Sequence, residues 1–379
     1  MTSVPIPTSP KEVTKEWLRL CLQENLQDSK NVIEVLGLEQ IKEKNGFMSG
    51  YFKAKVKIND QIQKLFIKTI LDKEDPLRFM MDKIDFDRIE ISTYKSFIPE
   101  LIKYEKLYCD PERSQLEDLI PSIYAADYCL DKQNRGYYLI MEDISDKYSL
   151  IATEEGLSYL QVSKAVEKLA RFHATGFAFV KNKPSVIESW RLSPIYPFID
   201  DFKRGIDASI VEAITNEKPD FRKHIETIDK NWWEICQNAF FFKEKRFLTH
   251  ADSWLNNIFF SFDDCKLLDW QALSLNHPVI DIAFLLGTCL TPEHLELWME
   301  DLLDEYLNKF NSTCEEMKEL SPFDLPEDFK TTFYTHGIMS MGFMFIFGWK
   351  DLTVLTGMKP RAINWIHLAI KNNPQYFEK

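Results

Sequence analysis

Two short runs near the N-terminus, YFKAKVKI (51–58) and KLFIKTI (64–70), alternate apolar and polar residues. A period of two marks a strand with one buried face. Asn59-Asp60 between the runs supplies the residue types of a tight reversal. The pair therefore predicts two antiparallel strands. NGFMSG (45–50), just upstream, carries two glycines and a serine and reads as a flexible turn into the first strand. GYYLIMEDI (136–144) is a continuous apolar run closing on two acids, as expected of a buried strand that meets a polar connection.

Elsewhere the period is helical. Thr14 to Leu26 repeats apolar residues at helical spacing (Trp17, Leu18, Leu20, Cys21, Leu26). So does the stretch from Asp82 to Tyr104 (Ile84, Phe86, Ile89, Ile91, Tyr94, Phe97), and Pro99 is expected to end that helix. After residue 144 the chain reads as helices to its end, beginning with the amphipathic GLSYLQVSKAVEKLARFHATGF (156–177). The exceptions are two short strands, NIFF and KLLD, around the turn SFDDC (261–265). The expectation is an α+β chain with a β-rich N-terminal lobe over residues 1–143 and a mainly helical lobe over 144–379. No long Pro/Gly linker separates them, so the lobes are expected to press together.

Charge narrows the partners. There are 59 acidic and 46 basic residues, a formal charge of −13. Such a chain repels nucleic-acid backbones and anionic lipid. It still admits a nucleotide, because one lysine and Mg²⁺ can neutralise a triphosphate locally. The seven cysteines are odd in number and form no C-x-x-C, which predicts buried free thiols in a reducing compartment. The N-terminus lacks the basic and apolar regions of a signal peptide. The longest apolar run, GIMSMGFMFIFGW (337–349), is too short to span a bilayer and reads as a buried helix. A cytoplasmic protein with no membrane insertion is expected.

The chemistry concentrates in THADSWLNNIFF (249–260). Asp252 and Asn257 have the spacing that phosphoryl transfer of the kinase type places on one loop. The Asp accepts or orients the proton of an attacking hydroxyl, and the Asn ligates Mg²⁺ through its carbonyl without adding charge. The NIFF/KLLD hairpin returns the chain so that Asp269 comes near Asn257 as a second Mg²⁺ ligand. His250 reads as a hydrogen-bonding residue that shapes the loop rather than as a proton carrier, and Trp254 as packing. A metal-dependent hydrolase built on His250 and Asp252 is the competing reading, but no second His/Asp cluster accompanies them. Upstream, Lys68 lies among Phe66, Ile67 and Ile70 at the end of an apolar strand, placed to hold phosphates, with Glu90 on the next helix as its partner. The turn before them offers backbone N–H groups and the Ser49 hydroxyl.

With these residues in order, the chain resembles the ecdysteroid kinase-like (CHK kinase-like) family, related to choline kinases and aminoglycoside phosphotransferases within the two-lobed protein-kinase-like fold. The segments that carry the resemblance are FIKT (Lys68), IEISTY (Glu90), YYLIMEDI, LARFHA (His173), LTHADSWLNNIFF, LLDWQ and HPVIDIAFLL (Asp281). It implies ATP-dependent phosphorylation of a small-molecule hydroxyl. Asp252 would be the base, Asn257 and Asp269 would bind Mg²⁺, and Lys68 would bind phosphate. Met141, Glu142 and Asp143 would lie at the adenine-binding connection. Asp281 would brace the catalytic loop, and His173 would be a buried structural residue. The chain departs from the family where Ala251 replaces a usual glycine, where Trp270 replaces a usual phenylalanine, and where Asn45-Gly46-Phe47 replaces an acidic-Asn pair in the phosphate loop.

After Asp269 the chain soon reaches HPVIDIAFLL (277–286), leaving no long segment to dock a peptide, so no protein substrate is expected. Trp298, Phe333, Tyr334, Met339, Met341, Phe343, Phe345, Phe347 and Trp349 either wall a broad apolar pocket or fill the core. The family resemblance points to a steroid, such as an ecdysteroid, or another lipophilic alcohol. A choline- or aminoglycoside-type kinase with a polar substrate and a non-catalytic nucleotide-binding protein of the same fold are the alternatives. The second of these predicts loss of Lys68, Asp252, Asn257 or Asp269, and all four are present.

Overall fold

The alternation around Asn59-Asp60 folds as its period requires. In the computed structural model, which describes residues 4–26, 31–41, 49–75, 78, 85–109, 116–131, 133–151, 156–190, 192, 203, 206, 208–240, 247–321, 326–340 and 358–373, these two residues take φ of 47° and 65°. Positive φ at both positions gives the mirror-image turn whose twist matches paired strands. Strands β2 (Gly50–Ile58) and β3 (Gln61–Thr69) leave it in antiparallel register. With β1 (Ile33–Ile41), β4 (Ile123–Cys129) and β5 (Gly136–Glu142) they form an antiparallel sheet of order β1-β2-β3-β5-β4.

Phe52, Ala54, Val56, Leu65 and Ile67 share one core with Trp17, Leu18, Cys21 and Leu22 of helix α1 (Lys15–Asn25). The Thr14 hydroxyl caps that helix by accepting the Trp17 N–H at 3.1 Å. Strand β5 is apolar up to its last residue, Glu142, because both its faces are covered. Tyr138 and Ile140 join the α1 core, and helix α2 (Phe86–Ser92) packs on the sheet as well. At Gly136 a Cβ would lie 2.1 Å from the Pro7 carbonyl oxygen, so only glycine lets the N-terminal segment cross there.

Pro99 does not end its helix. The chain widens into a π-helical turn over Thr93–Phe97 and continues as α3 (Ile98–Glu105). Pro99 thus falls in the first turn of α3, after a widened turn, where a missing N–H disrupts least.

By internal packing the chain divides into two compact units, Met1–Glu100 with Ile120–Tyr148, and Leu101–Leu119 with Ser149–Lys379. The segment from Leu101 belongs with the helices for a physical reason. Glu105 is buried there in an ion pair with Arg171, and the Tyr104 ring meets Phe179 edge-on at 5.2 Å.

Helix α4 (Tyr159–Asn182) starts at a reciprocal Ser158–Gln161 capping box and packs along α9 (Pro292–Glu316). Between them in sequence come α5 (Pro184–Ser189), α6 (Ala208–Glu217), α7 (Arg222–Phe240) and α8 (Val279–Cys289), the last buried on every side. Helices α10 (Pro326–Ser340) and α11 (Met358–Asn372) follow α9. The strands expected at NIFF and KLLD are β7 (Ile258–Phe260) and β8 (Cys265–Leu267). A second pair, β6 (Phe247–Thr249) with β9 (Ser274–Asn276), was not foreseen, because three residues are too few to display a period.

Of the aromatic residues proposed for a pocket, Phe333 is fully buried against Trp365 and Tyr334, and Trp298 stacks on His294. Residues 341–349 lie outside the described residues, as do Asn45, Gly46 and Phe47, and nothing is described of the Met339 side chain. All seven cysteines are free and six are buried. Among the described residues no helix is long and apolar enough to cross a membrane.

The Arg171–Glu105 pair makes a direct test of packing against surface charge. Arg171→Met strands a buried carboxylate and is expected to cost about 3 kcal/mol or more in urea unfolding. Lys164→Ala, which removes an exposed partner of Glu167, should cost less than about 1 kcal/mol.

Candidate active site

In the helical unit, β6 delivers the chain into the loop His250–Asp252. Ala251 there has φ of 61°, left-handed backbone that a glycine accepts freely and an alanine adopts at a cost of about 1 kcal/mol. Asp281, in the first turn of α8, holds that conformation. Its carboxylate accepts the N–H groups of His250 and Ala251, both at 2.7 Å. It also accepts His173 Nε2 at 2.9 Å and the Ser253 hydroxyl at 3.2 Å. Burial alone would raise this carboxyl, but hydrogen bonding and charge from His173, with His250 and its N–H, outweigh it and hold it below its ordinary value. His173 is itself fixed, its Nδ1 accepting the Tyr306 hydroxyl at 2.9 Å.

His250 is fully buried, and burial, opposed chiefly by the Asp281 charge, pushes its pKa below the ordinary value. The neutral ring donates from Nε2 to the Leu268 carbonyl at 2.9 Å, leaving Nδ1 to accept the Asp252 N–H at 3.3 Å. One imidazole thus ties the loop to the strand end that precedes Asp269. Trp270 lies beneath it, the two ring centroids 4.4 Å apart, with the indole N–H on Leu267.

Asp252 and Asn257 meet directly. The Asn257 amide nitrogen donates to the Asp252 carboxylate at 2.9 Å and to its carbonyl at 2.8 Å. Both of these bonds use the amide nitrogen, and among the described residues no donor reaches Asn257 Oδ1. The β7–β8 hairpin pairs Asn257 with Leu268, whose N–H reaches the Asn257 carbonyl at 2.8 Å. Asp269 is the next residue, half-buried, with φ of 62°. Two non-glycine residues in left-handed backbone so close together mark a place where local strain is held by surrounding bonds. Among the described residues no group of three or more His, Cys, Asp or Glu is arranged around a metal. An Asn oxygen and an Asp carboxylate suit Mg²⁺, which takes few protein ligands and completes its shell from water and phosphate.

In the sheet unit, Lys68 near the end of β3 bonds Glu90 of α2 through both carboxylate oxygens, at 2.8 and 2.7 Å, with both side chains almost fully buried. Ser49 is buried and its hydroxyl is shared with that of Tyr137 at 2.6 Å. Met141 and Glu142 end β5, and Asp143 opens the connection. Asp143 pairs with Lys53 at 3.1 Å and accepts the Ser145 N–H at 3.1 Å. Burial raises its carboxyl, and the Ser145 and Lys53 contacts more than reverse that.

Several contributors gave no sequence signal. Tyr306 reaches His173 from 133 positions away. Lys168 of α4 bonds the Cys265 carbonyl at 2.6 Å and the Asp264 carboxylate at 2.5 Å, anchoring the hairpin. Only the fold brings such pairs together.

Two solved structures share this architecture. Choline kinase from Cryptosporidium parvum Iowa II aligns over 96% of this chain and 97% of its own, at 14% identity and a TM-score of 0.50. A spectinomycin phosphotransferase in complex with ADP and spectinomycin aligns over 96% and 99%, at 11% identity and a TM-score of 0.52. They establish the α+β, two-lobed kinase-like fold. The pattern of the ecdysteroid kinase-like family matches residues 43–319, and the chain belongs to that family. It is accordingly a phosphotransferase acting on an alcohol group. No curated protein matches the chain in sequence.

The depressed pKa of His250 has a measurable consequence. Between its folded value and about 6.5 the unfolded chain binds a proton that the native chain refuses, so stability rises with pH across that window. The melting temperature of the wild type should fall on acidification below about pH 6.5, and His250→Asn should show a shallower slope there.

Proposed function

We propose that the chain transfers the γ-phosphate of ATP to a hydroxyl of a lipophilic alcohol, with a steroid such as an ecdysteroid as the leading class. The observation that carries the reading is the Asp252–Asn257 contact, which aims a carboxylate and leaves a free amide oxygen on one braced loop. Asp252 takes the proton of the attacking hydroxyl. Asn257 Oδ1 and the Asp269 carboxylate would hold Mg²⁺. When bound, the ion offsets negative charge on the phosphate oxygens. Lys68, kept in place by Glu90, binds the α/β-phosphates. Ser49 would lie over the phosphates, and Met141, Glu142 and Asp143 would border the adenine. His250 and Asp281 are structural, since their polar atoms are spent on the loop backbone.

The spectinomycin phosphotransferase was solved with ADP, which supports nucleotide use by the shared fold. The short path from Asp269 through β9 to α8 favours a small acceptor over a peptide. Free thiols fit a cytoplasmic setting.

Thermal shift with Mg·ATP, ATP alone and Mg²⁺ alone tests the nucleotide half, because a ligand of the folded state raises the melting temperature. A Mg-dependent ATP shift is expected in the wild type and should be lost in Asp269→Ala. Asp252→Ala should keep the shift while phosphorylation of a steroid alcohol falls by about 100-fold or more. Phosphorylation of choline, ethanolamine or an aminoglycoside in place of any steroid would overturn the acceptor class. No shift in the wild type would sink the kinase reading.

A further inference from the structure

Helix α2 carries two buried carboxylates three residues apart, and only Glu90 is used above. The other, Asp87, is almost completely buried and lies on the same helical face. It receives a two-pronged guanidinium from Arg135, with Nε on Oδ2 at 3.0 Å and an Nη on Oδ1 at 2.5 Å. The remaining Arg135 nitrogen meets Asp85 at 3.1 Å. Asp85 precedes α2 with φ of 52° and does not cap the helix, its carboxylate being turned to Arg135 instead.

Arg135 is placed as firmly as the acids that it binds. It directly precedes β5, whose Leu139 is the cross-strand partner of Lys68. Its carbonyl accepts an Arg78 Nη at 3.0 Å, and the other Arg78 Nη donates to the Leu71 carbonyl at 2.6 Å, just beyond the end of β3. The contacts close a ring from Lys68 through Glu90, Asp87, Arg135, Arg78 and Leu71 back to β3. Helix α2 is therefore pinned to the sheet at two points on one face. Apolar packing of Phe86, Ile89 and Ile91 holds the helix on the sheet, and the two ion pairs fix its rotation.

We propose that Arg135 and Asp87 are positioning residues for phosphate binding: their ion pair sets the rotation of α2 and thereby holds Glu90 against Lys68. The role in nucleotide binding rests on the kinase reading above, whereas the effect on Lys68 does not. Planar, two-pronged geometry is what distinguishes Arg from Lys here, so charge alone does not substitute for it.

Two measurements separate the parts. The first needs no nucleotide: labelling of lysines in the ligand-free protein by an amine-reactive reagent, read by mass spectrometry. Asp87→Asn and the milder Arg135→Lys should raise the labelling rate of Lys68 several-fold. The exposed Lys64 should stay unchanged, and in a parallel labelling with a thiol-reactive reagent the buried Cys21 should remain protected, which reports an intact fold. An unchanged Lys68 rate, or a general rise that includes Cys21 in both variants, overturns the proposal.

The second is Mg·ATP affinity by calorimetry in a double-mutant cycle. Arg135→Lys should weaken binding about tenfold in the wild-type background and less than about twofold in a Lys68→Met background, because residues that act through one another are not additive. Equal losses in both backgrounds would mean a merely structural pair and would overturn the proposal. If the wild type binds no Mg·ATP, the kinase reading and the nucleotide role fall together, and Lys68 labelling still decides whether the pair sets its engagement.

Discussion

A single buried carboxylate organises the helical unit. Asp281 is withdrawn from water, and an isolated charge there would be prohibitive. The fold makes it tolerable by aiming donors at it: two backbone N–H groups of the His250–Asp252 loop, an imidazole and a hydroxyl. The dependence runs both ways. The loop keeps left-handed backbone at Ala251 because its N–H groups are committed to Asp281, and Asp281 stays ionised because the loop surrounds it. The same bonds fix Ser253 and, through His250, the strand end before Asp269.

The sheet unit solves a similar problem with fewer parts. A lysine facing the inside of a sheet is costly unless paired, and Glu90 pairs it. What each unit gains is order. Lys68 and Asp252 are long or exposed-type side chains that would sample many rotamers on a surface. Here Glu90 restricts Lys68 and Asn257 restricts Asp252.

Much of this was legible along the chain. The hairpin at Asn59-Asp60, the apolar run of β5 and the helical spacing of α1 and α4 are local, with periods that one segment carries by itself. Asp252 and Asn257 belong to one loop, so their spacing alone announced their meeting. Lys68 with Glu90 needed only the alternation of a strand followed by a helix. Pro99 misled because a widened turn upstream, invisible in composition, made room for it. Strands β1 and β4 were passed over, although Ile33, Glu34 and Val35 do alternate. Strands β6 and β9 are too short to alternate at all.

The sequence by itself singled out the polar residues that the fold later braces, because Asp252 and Asn257 share one loop, Asp269 ends the next hairpin, and Lys68 ends an alternating strand. It also determined the two classes of element, through periods of two and 3.6. Tertiary structure alone decided what holds those residues still. The Tyr306–His173–Asp281 chain, the Lys168 anchor and the Arg135–Asp87 pair join positions far apart in sequence. Hydrogen bonds and ion pairs form between atoms within about 3 Å, and only the folded packing of helices and strands sets that distance.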